Sequence, residues 1–131
     1  MERRIINPWQ WQDQIGYVQA NEISGHSRLL MCAGQTATDS EGNPMYAEDM
    51  EAQISLALDN VETILEHAGL ELSDVMRLNL YTTDVDHFKE VSGVLWSRLA
   101  KAGCKPVANL LGVVRLALPE YLVEIEATAV A

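Results

Sequence analysis

The imbalance between helical and strand patterning constrains this chain more than any other feature of its sequence. Apolar residues recur at helical spacing in only two segments. Ile54, Ala57, Leu58, Val61, Leu65 and Ala68 follow i, i+3, i+4, i+7 spacing, with Asp49 as N-cap and Gly69 as stop. Phe88, Val91, Leu95 and Leu99 repeat the logic from about Asp86 to Ala102, before Gly103. Glu51, Asp59, Glu62 and Glu66 fall mostly off the first stripe, as a solvated face requires. The other patterned segments read as strands. Leu29 to Ala33 follows a polar hairpin candidate around Ser24-Gly25-His26 and precedes turn chemistry from Asp39 to Pro44. Met76, Leu78 and Leu80 alternate with Arg77, Asn79 and Tyr81, the mark of a half-buried strand. Val107 to Leu116 is almost wholly apolar, and Pro119 then turns the chain into Leu122–Ala131. Two helices cover only one face of a sheet built from these strands. The expectation is an α+β layer fold with both helices on one face, and an open face that needs a partner.

The closing strand sharpens that expectation. Side chains alternate across a strand, so Glu124, Glu126 and Thr128 share one face, while Val123, Ile125, Ala127 and Ala129 share the other. Two glutamates in so apolar a segment either meet solvent at an edge or line a pocket or subunit seam. The neighbouring run from Val107 to Val114 has too little polarity for half exposure, and oligomerisation through the open face accounts for both patterns.

Composition narrows the classes of function. A chain of 131 residues with 48% apolar and 21% charged residues suits one domain spanning 1–131. Nine Lys and Arg are scattered among nineteen acids for a net charge of −10, which argues against nucleic acid and anionic membrane partners. No apolar run approaches the roughly 20 residues that span a bilayer. The opening residues lack the apolar core of a secretory signal. Cys32 and Cys104 are too few for a disulfide scaffold or a zinc site, which sets the expectation of a reducing, cytoplasmic location. His26, His67 and His87 show no ligand spacing.

Five tags in order resemble the Rid (YjgF-type) reactive-intermediate deaminase family. They are Gly16-Tyr17-Val18-Gln19; Ala33-Gly34-Gln35; Ala52-Gln53 through Leu58-Asp59-Asn60-Val61; Tyr81 to Val85 before Phe88; and Val123-Glu124-Ile125-Glu126-Ala127. The resemblance covers nearly the whole chain. It implies a chorismate-mutase-like fold with a mixed sheet, assembled as a homotrimer with small-molecule clefts between subunits. It also implies hydrolysis of enamines and imines to 2-oxo acids and ammonia, with no cofactor and no metal.

Carried over residue by residue, the resemblance makes Glu124 the carboxylate that positions the attacking water and Tyr17 the cleft tyrosine. Gly34 matches a position where a ligand approaches the backbone. The family's carboxylate-binding arginine stands two residues after the proline that opens the penultimate strand. Here that position is Ala108, and the cleft position two residues later is Leu110. A guanidinium donates two parallel hydrogen bonds to a carboxylate, and Ala108 donates none. Ala33 also replaces a residue that commonly carries a hydroxyl.

Lys105, Arg77 and Arg115 are the nearby cations. Each reads either as a replacement or as a surface or interface ion pair. Asn109 points away from Ala108 in a regular strand, so only a bulge makes it a substitute. Trp96 reads as partly buried packing. Trp9 and Trp11 flank Gln10 in a segment expected to be extended, where they share a face and either wall a cleft or anchor the terminus. Two functional expectations follow. The first is a hydrolase or deaminase acting on an imine, enamine or related metabolite in an inter-subunit cleft, with ordinary 2-imino acid turnover weak or absent. The second is a non-catalytic ligand-binding or protein-interacting trimer.

Overall fold

The computed structural model describes residues 1–131. The strands are β1 (Glu2–Ile6), β2 (Ala20–Ser24), β3 (Leu29–Met31), β4 (Val75–Thr82), β5 (Val107–Gly112) and β6 (Val123–Val130). The helices are α1 (Met50–His67), α2 (Val85–Val91) and α3 (Gly93–Lys101). The main sheet runs β3-β6-β4-β5. β4 and β5 are parallel, with α2 and α3 forming the crossover between them, and the other pairs are antiparallel. β1 and β2 form a separate antiparallel ribbon. The fold is the expected α+β single domain with a mixed sheet.

Helix α1 starts where its sequence says it should, since the Asp49 carboxylate accepts the Ala52 amide at 3.0 Å. Its stripe of Ile54, Leu58, Val61 and Leu65 is fully buried, in one core with Val123, Ile125, Ala127 and Ala129 of β6. Each such aliphatic side chain contributes about 1.5–3 kcal/mol on burial. Leu78, Leu80, Phe88, Leu95 and Leu99 complete the core from β4, α2 and α3. The polar face of α1 is not simply solvated, because Arg98 of α3 reaches Asp59 at 2.8 Å and Glu62 at 3.0 Å.

Four local expectations are corrected. The second helix is two segments, because Ser92 donates back to the Lys89 carbonyl at 3.3 Å and Gly93 lowers helix propensity just after it. The apolar run after Pro106 stops as a strand at Gly112, six residues in. The turn at Ser24-Gly25-His26 joins strands that do not pair with each other: β2 pairs with β1, and β3 pairs with β6. The Trp9–Trp11 segment is not extended. Trp11 begins a 3₁₀ turn through Gln14, held by the fully buried Gln12, whose amide oxygen accepts from the Gln19 side chain at 3.2 Å.

All three helices lie on one side of the main sheet, and the other side is uncovered. Leu29 is 58%, Met31 76% and Leu111 48% exposed on that open side, around a polar centre on β4 and β6. No helix is long and apolar enough to cross a membrane.

Candidate functional site

The polar centre of the open face is a small network. Asn109 donates to Asn79 at 3.1 Å, Asn79 donates to Glu126 at 2.8 Å, and the Tyr81 hydroxyl donates to the same Glu126 oxygen at 3.3 Å. Glu124, opposite Tyr81 in the register, stands outside this network and accepts no hydrogen bond, while neither of its oxygens is sealed from solvent. Burial, and then the charge of Glu126, pushes the Glu124 carboxyl above the usual carboxylate range. Burial first, then Glu126 and Glu124, pushes the Tyr81 hydroxyl up. A half-buried, unpartnered carboxylate with a raised pKa is suited to take a proton from water.

Three sets of contacts place that carboxylate. The Leu122 amide donates to the side chain of Gln53 at 2.8 Å, and Thr82 donates to the Leu122 carbonyl at 2.8 Å, fixing the entry to β6. The Gln35 and Ile125 backbones exchange hydrogen bonds at 2.7 and 2.8 Å, holding the segment after β3 against Glu124. Asn60 of α1 ties the same segment down by donating to the carbonyls of Thr36 at 2.9 Å and Thr38 at 3.0 Å. Gly34 therefore lies against Glu124 so closely that a Cβ there would meet the Glu124 Cγ at 2.8 Å, with its carboxylate closer still. Only glycine admits the carboxylate in this position.

The other side of the sheet, near the exposed edge of β5, holds a cavity of about 780 Å³. That lies within the usual range for small-molecule sites, roughly 300–1,000 Å³. Its floor is Leu80, Ala108 and Leu110, and its walls are Tyr17, Phe88 and Trp96. Trp11 meets the Tyr17 ring edge-on at 6.2 Å, and Tyr17 is tilted against Trp96 at 6.4 Å. Gly16, with φ of +123°, lets the backbone before Tyr17 pack on the Trp96 ring, where a Cβ would be 3.3 Å away. The Val18 amide donates to the Pro106 carbonyl at 2.9 Å and docks this segment beside β5. The break at Ser92-Gly93 opens the third side.

The residues singled out from sequence thus divide into two groups. Tyr17, Ala108, Asn109 and Leu110 border the cavity, whereas Glu124 and Gly34 lie on the open face. Register fixes the division: Ala108 and Leu110 pair with the core residues Leu78 and Leu80, while Asn109 pairs with Asn79 beside Glu126. No bulge turns the Asn109 side chain toward Ala108. Of the three nearby cations, none lines this cavity, and Arg77 borders a second recess beside it. Sequence reading missed Phe88 and Trp96 as cavity walls, and Gln53 and Asn60 as anchors. The signal for the anchors was present, since two amides on an otherwise apolar helix stripe need buried partners.

Fold and site together define a single-domain α+β protein with a carboxylate on one sheet face and an aromatic-walled cavity on the other. The profile of the endoribonuclease L-PSP family matches residues 12–131, and the chain belongs to that family, the Rid (YjgF-type) proteins. A RutC family protein of Aquifex aeolicus is 32% identical over 114 residues, covering 87% of each chain. The 2-iminobutanoate/2-iminopropanoate deaminase of Salmonella typhimurium is 29% identical over 115 residues, covering 87% of this chain and 86% of that protein. The crystal structure of the Rid protein YyfB from Yersinia pestis superposes with a TM-score of 0.90 at 32% identity over the whole of both chains.

Proposed function

We propose that this chain assembles as a homotrimer and hydrolyses imines, enamines or related small metabolites at sites built from two subunits. The observation that carries the reading is the division of the site. Glu124 and the cavity bordered by Tyr17, Ala108 and Leu110 open on opposite faces of one sheet. A base and a ligand so placed meet only when the open face of one protomer meets the cavity of the next, a heterologous contact that closes into a ring. Exposed Leu29, Met31 and Leu111 supply apolar surface for it. Glu124 takes a proton from water as the water oxygen adds to the imine carbon, that proton passes to the nitrogen, and the resulting carbinolamine releases ammonia as its hydroxyl becomes the product carbonyl. The acidic balance of the chain favours a small metabolite over RNA.

Subunit mixing tests this directly. Glu124→Gln removes the base and Ala108→Trp fills the cavity, so each variant alone is expected to be inactive in releasing 2-oxo acid from enzymatically generated imines. Trimers assembled from an equal mixture recover about a quarter of parental turnover, the share of interfaces pairing the two intact halves. No recovery, or a monomer by mass in solution, sinks the two-subunit site. The neutral floor adds a specificity prediction. Turnover of 2-iminobutanoate is slow in the parent, and Ala108→Arg raises it on the order of tenfold or more by supplying a bidentate carboxylate partner. The same neutral floor favours the second reading, a non-catalytic ligand binder, which stands if no imine or enamine is hydrolysed.

A further inference from the structure

The two glutamates of β6 share one sheet face but turn in opposite directions. Glu124 leans toward the segment after β3, where Gly34 has no Cβ to displace it; one built there would meet the Glu124 Cγ at 2.8 Å. Glu126 turns to β4, and its Oε1 alone accepts both the Asn79 amide at 2.8 Å and the Tyr81 hydroxyl at 3.3 Å. Asn109 of β5 steadies this arrangement by donating to Asn79 at 3.1 Å. In the register Asn79 stands opposite Glu126, but Tyr81 stands opposite Glu124. Side chains directly opposite are nearer than diagonal ones, at about 4.5–5.5 Å against roughly 7–8 Å. The Tyr81 hydroxyl nevertheless takes the diagonal partner, and Glu124 is left without a donor.

We propose that Glu126 is a positioning residue for Glu124: it engages the Tyr81 hydroxyl that would otherwise bond Glu124, and so keeps that carboxylate free for the attacking water. The role rests on reading Glu124 as the base. Glu126 acts in two ways of the same sign. Its charge disfavours a second charge beside it, and its Oε1 holds the hydroxyl that would stabilise the charged form of Glu124. A hydrogen bond from Tyr81 would make Glu124 a weaker base and occupy an oxygen that water must reach. Few other groups titrate or carry charge nearby. On the open face β4 adds Arg77 and Tyr81, while β3, residues 33–36 and β5 add none. Arg77 stands opposite Thr128, four residues along β6 from Glu124, and pairs with no acid of the chain. The connection into β6 carries Arg115 and Glu120, both exposed, and Tyr121, which is bonded to Thr38 at 2.7 Å. Across the proposed seam, Tyr17, Lys89 and Glu90 border the cavity of the neighbouring copy.

Carbon-13 labelling of glutamate carboxyls reads the Glu124 titration by magnetic resonance on the intact protein, with Glu124→Gln identifying its signal. Glu126→Gln keeps an acceptor for Tyr81 and removes the charge, and should lower the Glu124 midpoint by about half a pH unit or more. Glu126→Ala removes both and should lower it by about one pH unit or more. Tyr81→Phe should leave the midpoint near the parent's while Glu126 is present, yet recover part of the loss in Glu126→Ala. A merely structural role for Glu126 would not produce that coupling. Mass in solution checks that each variant keeps the parent's assembly. Because Glu126→Ala empties a place on the face the ring covers, the shape-preserving Glu126→Gln decides the matter if the alanine variant does not assemble. The acidic limb of kcat/KM for imine hydrolysis should move to lower pH in the same order, since Glu124 works deprotonated. An unmoved midpoint in Glu126→Gln, or equal effects of Tyr81→Phe with and without Glu126, would overturn the role. Full turnover in Glu124→Gln with shifted midpoints removes the base and leaves the coupling of the two glutamates standing. Lost turnover in Glu124→Gln with unmoved midpoints keeps the base and removes the role of Glu126.

Discussion

Glu124→Gln is expected to lower imine hydrolysis by about 10²–10⁴-fold while raising the melting temperature at neutral pH. The two effects share one cause. Glu124 is half-buried beside Glu126 and accepts no hydrogen bond, so its charged form is disfavoured in the folded chain. Its folded pKa therefore lies above the unfolded value of about 4.3. The folded state then holds the proton more tightly, and stability falls as pH rises from the unfolded value through the folded one, remaining lower above it. Glutamine keeps the shape and has no charge to desolvate. The variant should melt above the parent at pH 7.5, and the difference should close as pH falls toward about 4. Paired melting curves at those two pH values, with turnover measured alongside, check the prediction. A carboxylate serving only as interface packing would leave turnover unchanged, and one held by an ion pair would make the variant less stable. A residue whose replacement stabilises the fold and removes activity is retained for its chemistry.

Gln53→Leu is expected to cost about 3 kcal/mol, a drop of roughly 10 °C in melting temperature for a domain of this size. The side chain is wholly buried and satisfies three backbone groups from two separate loops. Its amide nitrogen donates to the carbonyls of Tyr46 at 2.9 Å and Glu120 at 2.8 Å, and its oxygen accepts from Leu122 at 2.8 Å. Leucine matches the volume but leaves these groups without partners, and each unsatisfied buried group costs about 1–3 kcal/mol. Denaturant unfolding gives the number directly, and a loss below about 1 kcal/mol would mean that water replaces Gln53 at all three places. Turnover should fall as well, since the Leu122 contact fixes the start of the strand that carries Glu124.

Periodicity made α1 legible, from its Asp49 cap to its buried stripe, because both arise from interactions within a few residues. The closing strand was equally readable: Val123, Ile125, Ala127 and Ala129 are buried and Glu124 is not, as alternation required. Where sequence reading went astray, a longer-range contact or a small residue decided the outcome. Ser92 and Gly93 broke a helix whose apolar spacing continues across them. β3 paired with β6 rather than with the neighbouring β2, because its Leu30 joins the helix-covered side next to Ala129. The Trp9–Trp11 segment curled into a 3₁₀ turn over a buried glutamine that no local pattern marks.

The residues alone determined the layer architecture, the family, and the identities of Glu124, Gly34, Tyr17 and Ala108, since residue type and spacing are local quantities. They also set the expectation that Ala108 stands where the family's carboxylate-binding arginine would be. The tertiary structure alone decided which of these residues meet. Strand register sets the sheet face of every side chain, and a shift of one residue exchanges the faces. That register sends Ala108 and Leu110 toward the helices, leaves Glu124 against Gly34 on the open face, and brings Arg77 to the recess beside Ala108.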